Sequence, residues 1–291
     1  MPTSGSPTVR RRRLAAELRR LRAGTGRTAD DIGRALGWSK AKISRYELAR
    51  GGLKPADVAR LLDVYDVQGS RREKLLALAE EAVHKGWWEA YSDVLTEGHL
   101  AFIGLEAEAT SIREWQINVV PGLLQTERYA RDVLSGYDEV ATISPRVIQR
   151  LVETRLTRQQ LLTRDDDPLE LKVVLDEAVL RRRRGDQSAM FAQLQHLAEI
   201  SERQNVIIHV LPLEGRHRLA VDSFAIMEFG SPGEATLHDL VSLEHMLNEL
   251  YVEGEDDTHQ FKLAFEHLTA RALPEQESQD LILTIARGVW A

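Results

Sequence analysis

Cysteine does not occur among the 291 residues. Disulfides, thiolate metal sites, zinc fingers and a cysteine nucleophile are thereby excluded. No window approaches the roughly 18 consecutive apolar residues of a membrane helix, so no membrane association is expected. The opening MPTSGSPTVRRRR has no apolar stretch behind its basic run, unlike a secretory signal, and the cytoplasm is the expected compartment. Also missing are the repeated glycines and lysine of a phosphate loop, any HExxH spacing, and a nucleophile with a base at a recognisable interval. No cofactor, no metal and no enzymatic activity are expected.

What is present divides by charge. Residues 1–74 hold 18 Lys+Arg against 8 Asp+Glu, a balance of +10, while the remaining residues balance at −17. A basic first quarter on an acidic body is the asymmetry of a nucleic-acid-binding head on a regulatory or oligomerising body. It is equally the asymmetry of a small helical domain with an Arg-rich solvated face, and charge alone leaves both open.

The spacing of apolar residues resolves the head into short helices. Residues 1–9 read as a loose tail, and from Arg10 the recurrence of Leu14, Leu18 and Leu21 predicts a helix ended by Gly24. Thr28 is placed to cap ADDIGRAL, with Asp30 and Asp31 in the first turn, where the helix dipole favours them. Gly37 breaks the chain, and Ser39 caps SKAKISRYE, which turns Ile43 and Tyr46 inward and leaves Lys40, Lys42, Ser44 and Arg45 outward. Pro55 opens a further helix with Val58, Leu61 and Leu62 inside.

Two short helices about a glycine turn, the second cationic, make a helix-turn-helix reading. TADDIGRALGWSKAKISRYELARGGLKP resembles the repressor-type (XRE-like) helix-turn-helix, over about residues 10–68. The resemblance implies that Thr28 opens the first motif helix and that Ser39–Glu47 is the recognition helix. Ala29 stands where many relatives have a glutamine that braces the DNA backbone. By residue type, Arg45 is assigned to base reading, since a guanidinium can donate two parallel hydrogen bonds to guanine. Lys40 and Ser44 are adjacent readers, and Ser39 and Lys42 hold phosphates. Arg10, Arg11, Arg12 and Arg13 read either as an arm along the DNA or as a solvated basic patch.

Residues 69–100 read as a helical, aromatic linker in which Trp87, Trp88 and Tyr91 dock against a domain or a second subunit, or line a small pocket. From 101 to 291 strands and helices interleave. SIREWQ, LKVVL, VIIHVLP and DSFAIMEF read as strands, and LHDLVSLEH as a further candidate. Helices are expected from Pro145 to Leu162, after Asp186, over Phe261 to Leu268, and from Ser278 to Arg287. The fold class is therefore an α-helical N-terminal helix-turn-helix domain plus a larger α/β or α+β regulatory and oligomerisation domain with a mixed sheet. In VVPGLLQTERYA, Pro121 and Gly122 suit a type II turn, and Thr126 can cap a helix bearing Tyr129, Ala130, Val133 and Leu134.

LEAEATSIREWQINVVPGLLQTERYA, VLDEAVLRRRRGD and QLQHLAEISERQNVIIHVLP together resemble the C-terminal domain of a large actinobacterial regulator family, which pairs it with the same kind of head. The resemblance implies control rather than catalysis. It also implies a small neighbour-encoded partner protein, in pairs described as toxin–antitoxin-like.

Four arginines on the 145–162 helix (Arg146, Arg150, Arg155 and Arg158) read as a solvated stripe or a partner site. Arg181, Arg182 and Arg183, with Arg184, sit where a helix end favours cations, or form an anion or acidic-partner site. His238, Asp239, Glu244 and His245 lack metal-ligand spacing, and Asp176 reads as a helix cap. The expected function is a sequence-specific, dimeric, DNA-binding transcriptional regulator whose body senses or binds a partner. One alternative is an antitoxin-like protein that neutralises a small neighbour-encoded protein. Another is an enzyme on a DNA-targeting head, a reading that a deep pocket with converging polar residues would strengthen.

Overall fold

The computed structural model describes residues 7–49, 53–83, 86–140, 142–214, 219–230, 239–244 and 249–291. The chain divides into a unit up to Glu89 and a larger unit that runs from Ala90 to Phe229 and resumes to Ala291.

The smaller unit is helical: α1 (Pro7–Gly24), α2 (Ala29–Leu36), α3 (Lys40–Glu47), α4 (Pro55–Val64) and α5 (Gly69–Glu81). Its core is Leu14 and Leu18 of α1, Ile32 of α2, Ile43 and Tyr46 of α3, Val58, Leu61 and Leu62 of α4, and Leu75 and Ala79 of α5. Each helix presents an apolar stripe that only its neighbours can bury, so burial rather than propensity holds these short segments helical. Two expectations are corrected. The first helix starts at Pro7, not Arg10, because proline suits a first turn. Residues 69–81, read as linker, form α5, and their apolar positions complete the core.

The larger unit contains α6 (Glu97–Glu106), β1 (Ser111–Gln116), α7 (Glu127–Ser135), α8 (Pro145–Arg158), β2 (Glu170–Asp176), α9 (Glu177–Arg181) and α10 (Gln187–Ile200). It continues with β3 (Val206–Leu211), β4 (Phe224–Glu228), β5 (Leu240–Glu244), β6 (Glu249–Val252), α11 (Glu255–Thr269) and α12 (Glu275–Val289). The six strands form one mixed sheet in the order β3-β2-β1-β4-β5-β6. Strands β1, β2 and β3 are parallel, as helical crossovers require. From β1 onward the pairings to β4, β5 and β6 are antiparallel.

Side chains alternate across a strand, so each strand serves two faces. Trp115, Phe224, Ile226 and Val241 project to one face and pack with Phe265 and Leu268 of α11. Glu114, Ala225 and Ser242 are register partners across β1, β4 and β5 and lie on the other. Among the described residues no helix is long and apolar enough to cross a membrane.

Candidate functional site

The helix-turn-helix is fixed by local chemistry. Thr28 Oγ1 accepts the Asp31 N–H at 3.2 Å, while the Asp31 carboxylate accepts the Thr28 N–H at 3.0 Å, a reciprocal capping box. At the turn Gly37 takes a left-handed conformation, φ 68°. Gly33 lets α3 approach, since a Cβ there would stand 2.7 Å from the Trp38 carbonyl oxygen. Ser39 Oγ accepts the Lys42 N–H at 3.2 Å and caps α3, which leaves its own hydrogen free to donate.

Four contacts lock α3. Arg22 of α1 grips Glu47 with two hydrogen bonds, 2.6 and 2.9 Å. Tyr46 donates to Asp57 at 2.5 Å, and its phenol is pushed up to about 12 by burial and by that carboxylate. Lys42 Nζ pairs with Asp57 at 2.9 Å and stands 3.6 Å above the Trp38 ring. On the outward side Lys40 and Arg45 are exposed and Ser44 is half-buried.

Not every residue assigned to DNA from the sequence lies free. Lys42 is folded back as a brace of α3. Arg10, Arg11, Arg12 and Arg13 lie within α1, so they form no arm. Arg10 is buried and pairs with Glu81 of α5 at 3.2 Å.

In the larger unit the stretch after β1 becomes the wall of a cavity. Pro121 does not open a type II turn: Gly122 lacks the positive φ which that turn needs, and Gly122–Leu124 is a turn of 3-10 helix. Glycine eases a close approach there instead. A Cβ on residue 122 would meet the Arg158 guanidinium at 3.3 Å. Leu123 and Leu124 are buried, and three glutamines pin the backbone. Gln125 donates to the Val120 carbonyl at 2.7 Å, Gln159 to the Gln125 carbonyl at 2.6 Å, and Gln193 to the Leu124 carbonyl at 2.7 Å. Thr126 then caps α7, with Tyr129, Ala130 and Leu134 inside.

The cavity, about 320 Å³, lies on the sheet face that carries Glu114, Ala225 and Ser242. The buried Glu106 of α6 and Arg158 of α8 border it, joined by hydrogen bonds of 2.6 and 2.7 Å. Glu114 accepts from Gln116 at 2.7 Å, and burial holds its carboxyl up at about 7. His99 is pulled down to about 4 by burial and by Arg158 and Arg155. Arg155 donates to Gln125 Oε1 at 2.6 Å; burial and the like charge of Arg158 lower it to about 10. Arg184, Tyr137, Glu244, Asn118 and Ser223 also line it.

The arginines of α8 are therefore not a solvated stripe. Arg146 is exposed, and Arg150 binds Asp93 and the Ala90 carbonyl beneath the Tyr91 ring. Arg155 and Arg158 border the cavity. The aromatic cluster is also divided. Trp88 is buried under Trp87 in the smaller unit, whereas Tyr91 belongs to the larger one. Arg181 pairs with Glu177, Arg182 donates to Asn118, and Arg183 donates to the Gly185 carbonyl. Asp176 caps α9 by accepting the Ala178 N–H. Asp239 pairs with Lys262, while His238 and His245 lie outside the described residues.

Sequence reasoning missed Glu106, Glu114 and the structural role of Gly122. In a strand Glu114 and Trp115 fall on opposite faces, but nothing local in SIREWQ indicates that both faces of β1 are covered.

Comparison with protein families assigns both units. Residues 13–75 match a helix-turn-helix domain, and residues 100–284 match a domain of unknown function, DUF5753. No curated protein and no solved structure matches the chain. The second match spans more than half of the sequence, and the chain belongs to the DUF5753 family, carrying that domain behind an N-terminal helix-turn-helix.

Proposed function

We propose that the protein is a sequence-specific DNA-binding transcriptional regulator that acts as a homodimer, with its acidic C-terminal unit receiving the regulatory signal. The observation that carries the reading is the rigid presentation of α3. Caps at Thr28 and Ser39 and the Arg22–Glu47 and Tyr46–Asp57 contacts fix the helix, while Lys40 and Arg45 point outward. Lys40 at the start of α3 and Arg45 in its last turn leave an exposed cationic face along the helix, as a groove-entering helix of this motif presents. Two copies would read half-sites about one helical turn apart.

The test is titration of the purified chain against its own upstream duplex and a scrambled duplex across a salt series. Preference for the upstream duplex, weakening steeply with salt, is the expected result. Equal weak binding to both would move the antitoxin-like reading to the front. That reading is checked by co-purification with the small neighbour-encoded protein.

The cavity gives the enzyme reading a specific observation, a carboxyl held near neutrality, which suits a general acid or base. The binding reading is preferred. Glu114 is hydrogen-bonded to an amide, and the Arg158 guanidinium beside it is committed to Glu106.

A further inference from the structure

The cavity of the larger unit has an imbalance that its own residues do not settle. Glu106 and Arg158 neutralise one another through two hydrogen bonds. Arg155 has one neutral partner, the Gln125 amide oxygen, for a guanidinium with five N–H donors. Arg184 lines the same cavity, and its Nε is buried without a hydrogen-bond partner. Glu244 of the same cavity acts on Arg155 through space, but among the described residues no carboxylate stands at ion-pair distance from either guanidinium. Arg155 and Arg184 line one cavity, and both, with the exposed Arg182, act on the buried phenol of Tyr129.

A cation in a protected site costs free energy unless an anion reaches it. The wall that holds Arg155 is rigid: Gln125 is itself buried and pinned to Val120, and Gln159 fixes the turn behind it. The guanidinium is thus held in place rather than loosely tethered. The position also fits a binding site. Asn118 to Gly122, which follow the carboxyl end of β1, line the cavity, and loops at the ends of sheet strands are where binding residues concentrate. Its volume of about 320 Å³ is that of a metabolite site.

We propose that this cavity binds a small organic oxyanion, with the carboxylate or phosphate received by Arg155 and Arg184 and a hydroxyl or amino group of the same molecule meeting Glu114 and Glu244. A guanidinium fork suits either oxyanion. The carboxyl row on the opposing strands supplies the acceptors that a purely cationic pocket would lack. Glu244 and Glu114 lie on the same sheet face as Ser242, so one ligand can span from the α8 side to the sheet. The proposal stands on the larger unit alone and is independent of the DNA-binding reading.

The test is thermal unfolding of the full-length protein in chloride, inorganic phosphate or L-glutamate at matched pH and ionic strength, for the wild type, Arg155→Gln and Arg184→Gln. A ligand that binds only the folded state raises Tm. One of the two oxyanions should raise the wild-type Tm by several degrees over chloride, and which one does so separates phosphate from carboxylate chemistry. Each variant should lose that rise, while Arg155→Gln in chloride melts no lower than the wild type, because an uncompensated charge has been removed. The proposal is overturned if neither oxyanion raises Tm. It is also overturned if the rise survives in both variants, since the ions would then be acting on another cationic surface. An Arg155→Gln variant that is strongly destabilised in chloride would make that guanidinium a structural group, and retention of the rise in Arg184→Gln would then overturn the assignment.

Discussion

Arg158 and Glu106, 52 residues apart, meet in a two-pronged ion pair with Nε–Oε2 at 2.6 Å and Nη2–Oε1 at 2.7 Å, and both side chains are buried. The pair fastens the end of α8 to the end of α6, and the guanidinium also stacks near the Phe102 ring. Breaking one half strands the other charge, which costs about 3–5 kcal/mol, whereas replacing both by apolar groups avoids that penalty. Glu106→Leu and Arg158→Met should each destabilise strongly, and the double variant that combines them should lose much less than the sum. Urea unfolding of the four proteins checks this; additive losses would mean that the two charges are not coupled.

Gly122 touches the other side of the same guanidinium. A methyl group there would sit 3.3 Å from Arg158 Nη2, and the two bonds to Glu106 prevent Arg158 from yielding. Gly122→Ala should therefore cost about 1–3 kcal/mol as overpacking, although alanine is the better helix former. Combined with Arg158→Met the cost should shrink, and a Gly122→Ala variant as stable as the wild type would remove the close-approach explanation.

Glu114 makes stability depend on pH. Its carboxyl titrates at about 7 in the fold against 4.5 when unperturbed, so between those values the folded chain holds a proton that the unfolded chain has lost. The stabilisation is complete below about pH 4.5, falls as pH rises through the window and is gone above about 7. Glu114→Gln removes this dependence. Its stability relative to the wild type should therefore rise by up to about 3 kcal/mol between pH 5 and pH 8. Chemical unfolding at both values measures it, and an unchanged difference would place the Glu114 titration outside this range.

The head was readable in the sequence because its determinants are local. Thr28 with Asp31, and Ser39 with Lys42, act across three residues, and the apolar periods of α2 and α3 need only one neighbour each. The strands SIREWQ, LKVVL and VIIHVL were equally legible, being short apolar or alternating runs between turn residues. Their order was not, since the parallel pairing of β1 with β2 links residues nearly sixty apart. The cavity was illegible for the same reason. Arginines at positions 146, 150, 155 and 158 look alike on a helical wheel, and only Glu106, arriving from α6, distinguishes Arg158 from the exposed Arg146. In VVPGLLQT, glycine and proline signalled a bend, but its conformation is set by an arginine and glutamines of other helices.

Three cations of α3 should separate in DNA binding because their surroundings differ. Arg45 is exposed and suited to a bidentate contact with guanine, so Arg45→Ala should cost roughly 1–3 kcal/mol at the preferred duplex and leave scrambled DNA nearly unaffected. Lys40, assigned from the sequence to base reading beside Arg45, is exposed at the first position of α3. The helix N-terminus favours a phosphate there, so its contact is expected to be with the DNA backbone instead. Lys40→Ala should weaken both duplexes alike and reduce the salt slope by about one. Lys42 is already engaged by Asp57 and Trp38, so Lys42→Ala should act first on the fold, lowering Tm while leaving the salt slope close to that of the wild type. Salt titrations of the three variants on both duplexes, beside their melting curves, distinguish these roles. A Lys42→Ala variant that keeps its Tm but loses salt slope would return that lysine to the phosphate contacts its sequence position suggests. The brace seen in the free protein would then be a resting position that DNA displaces.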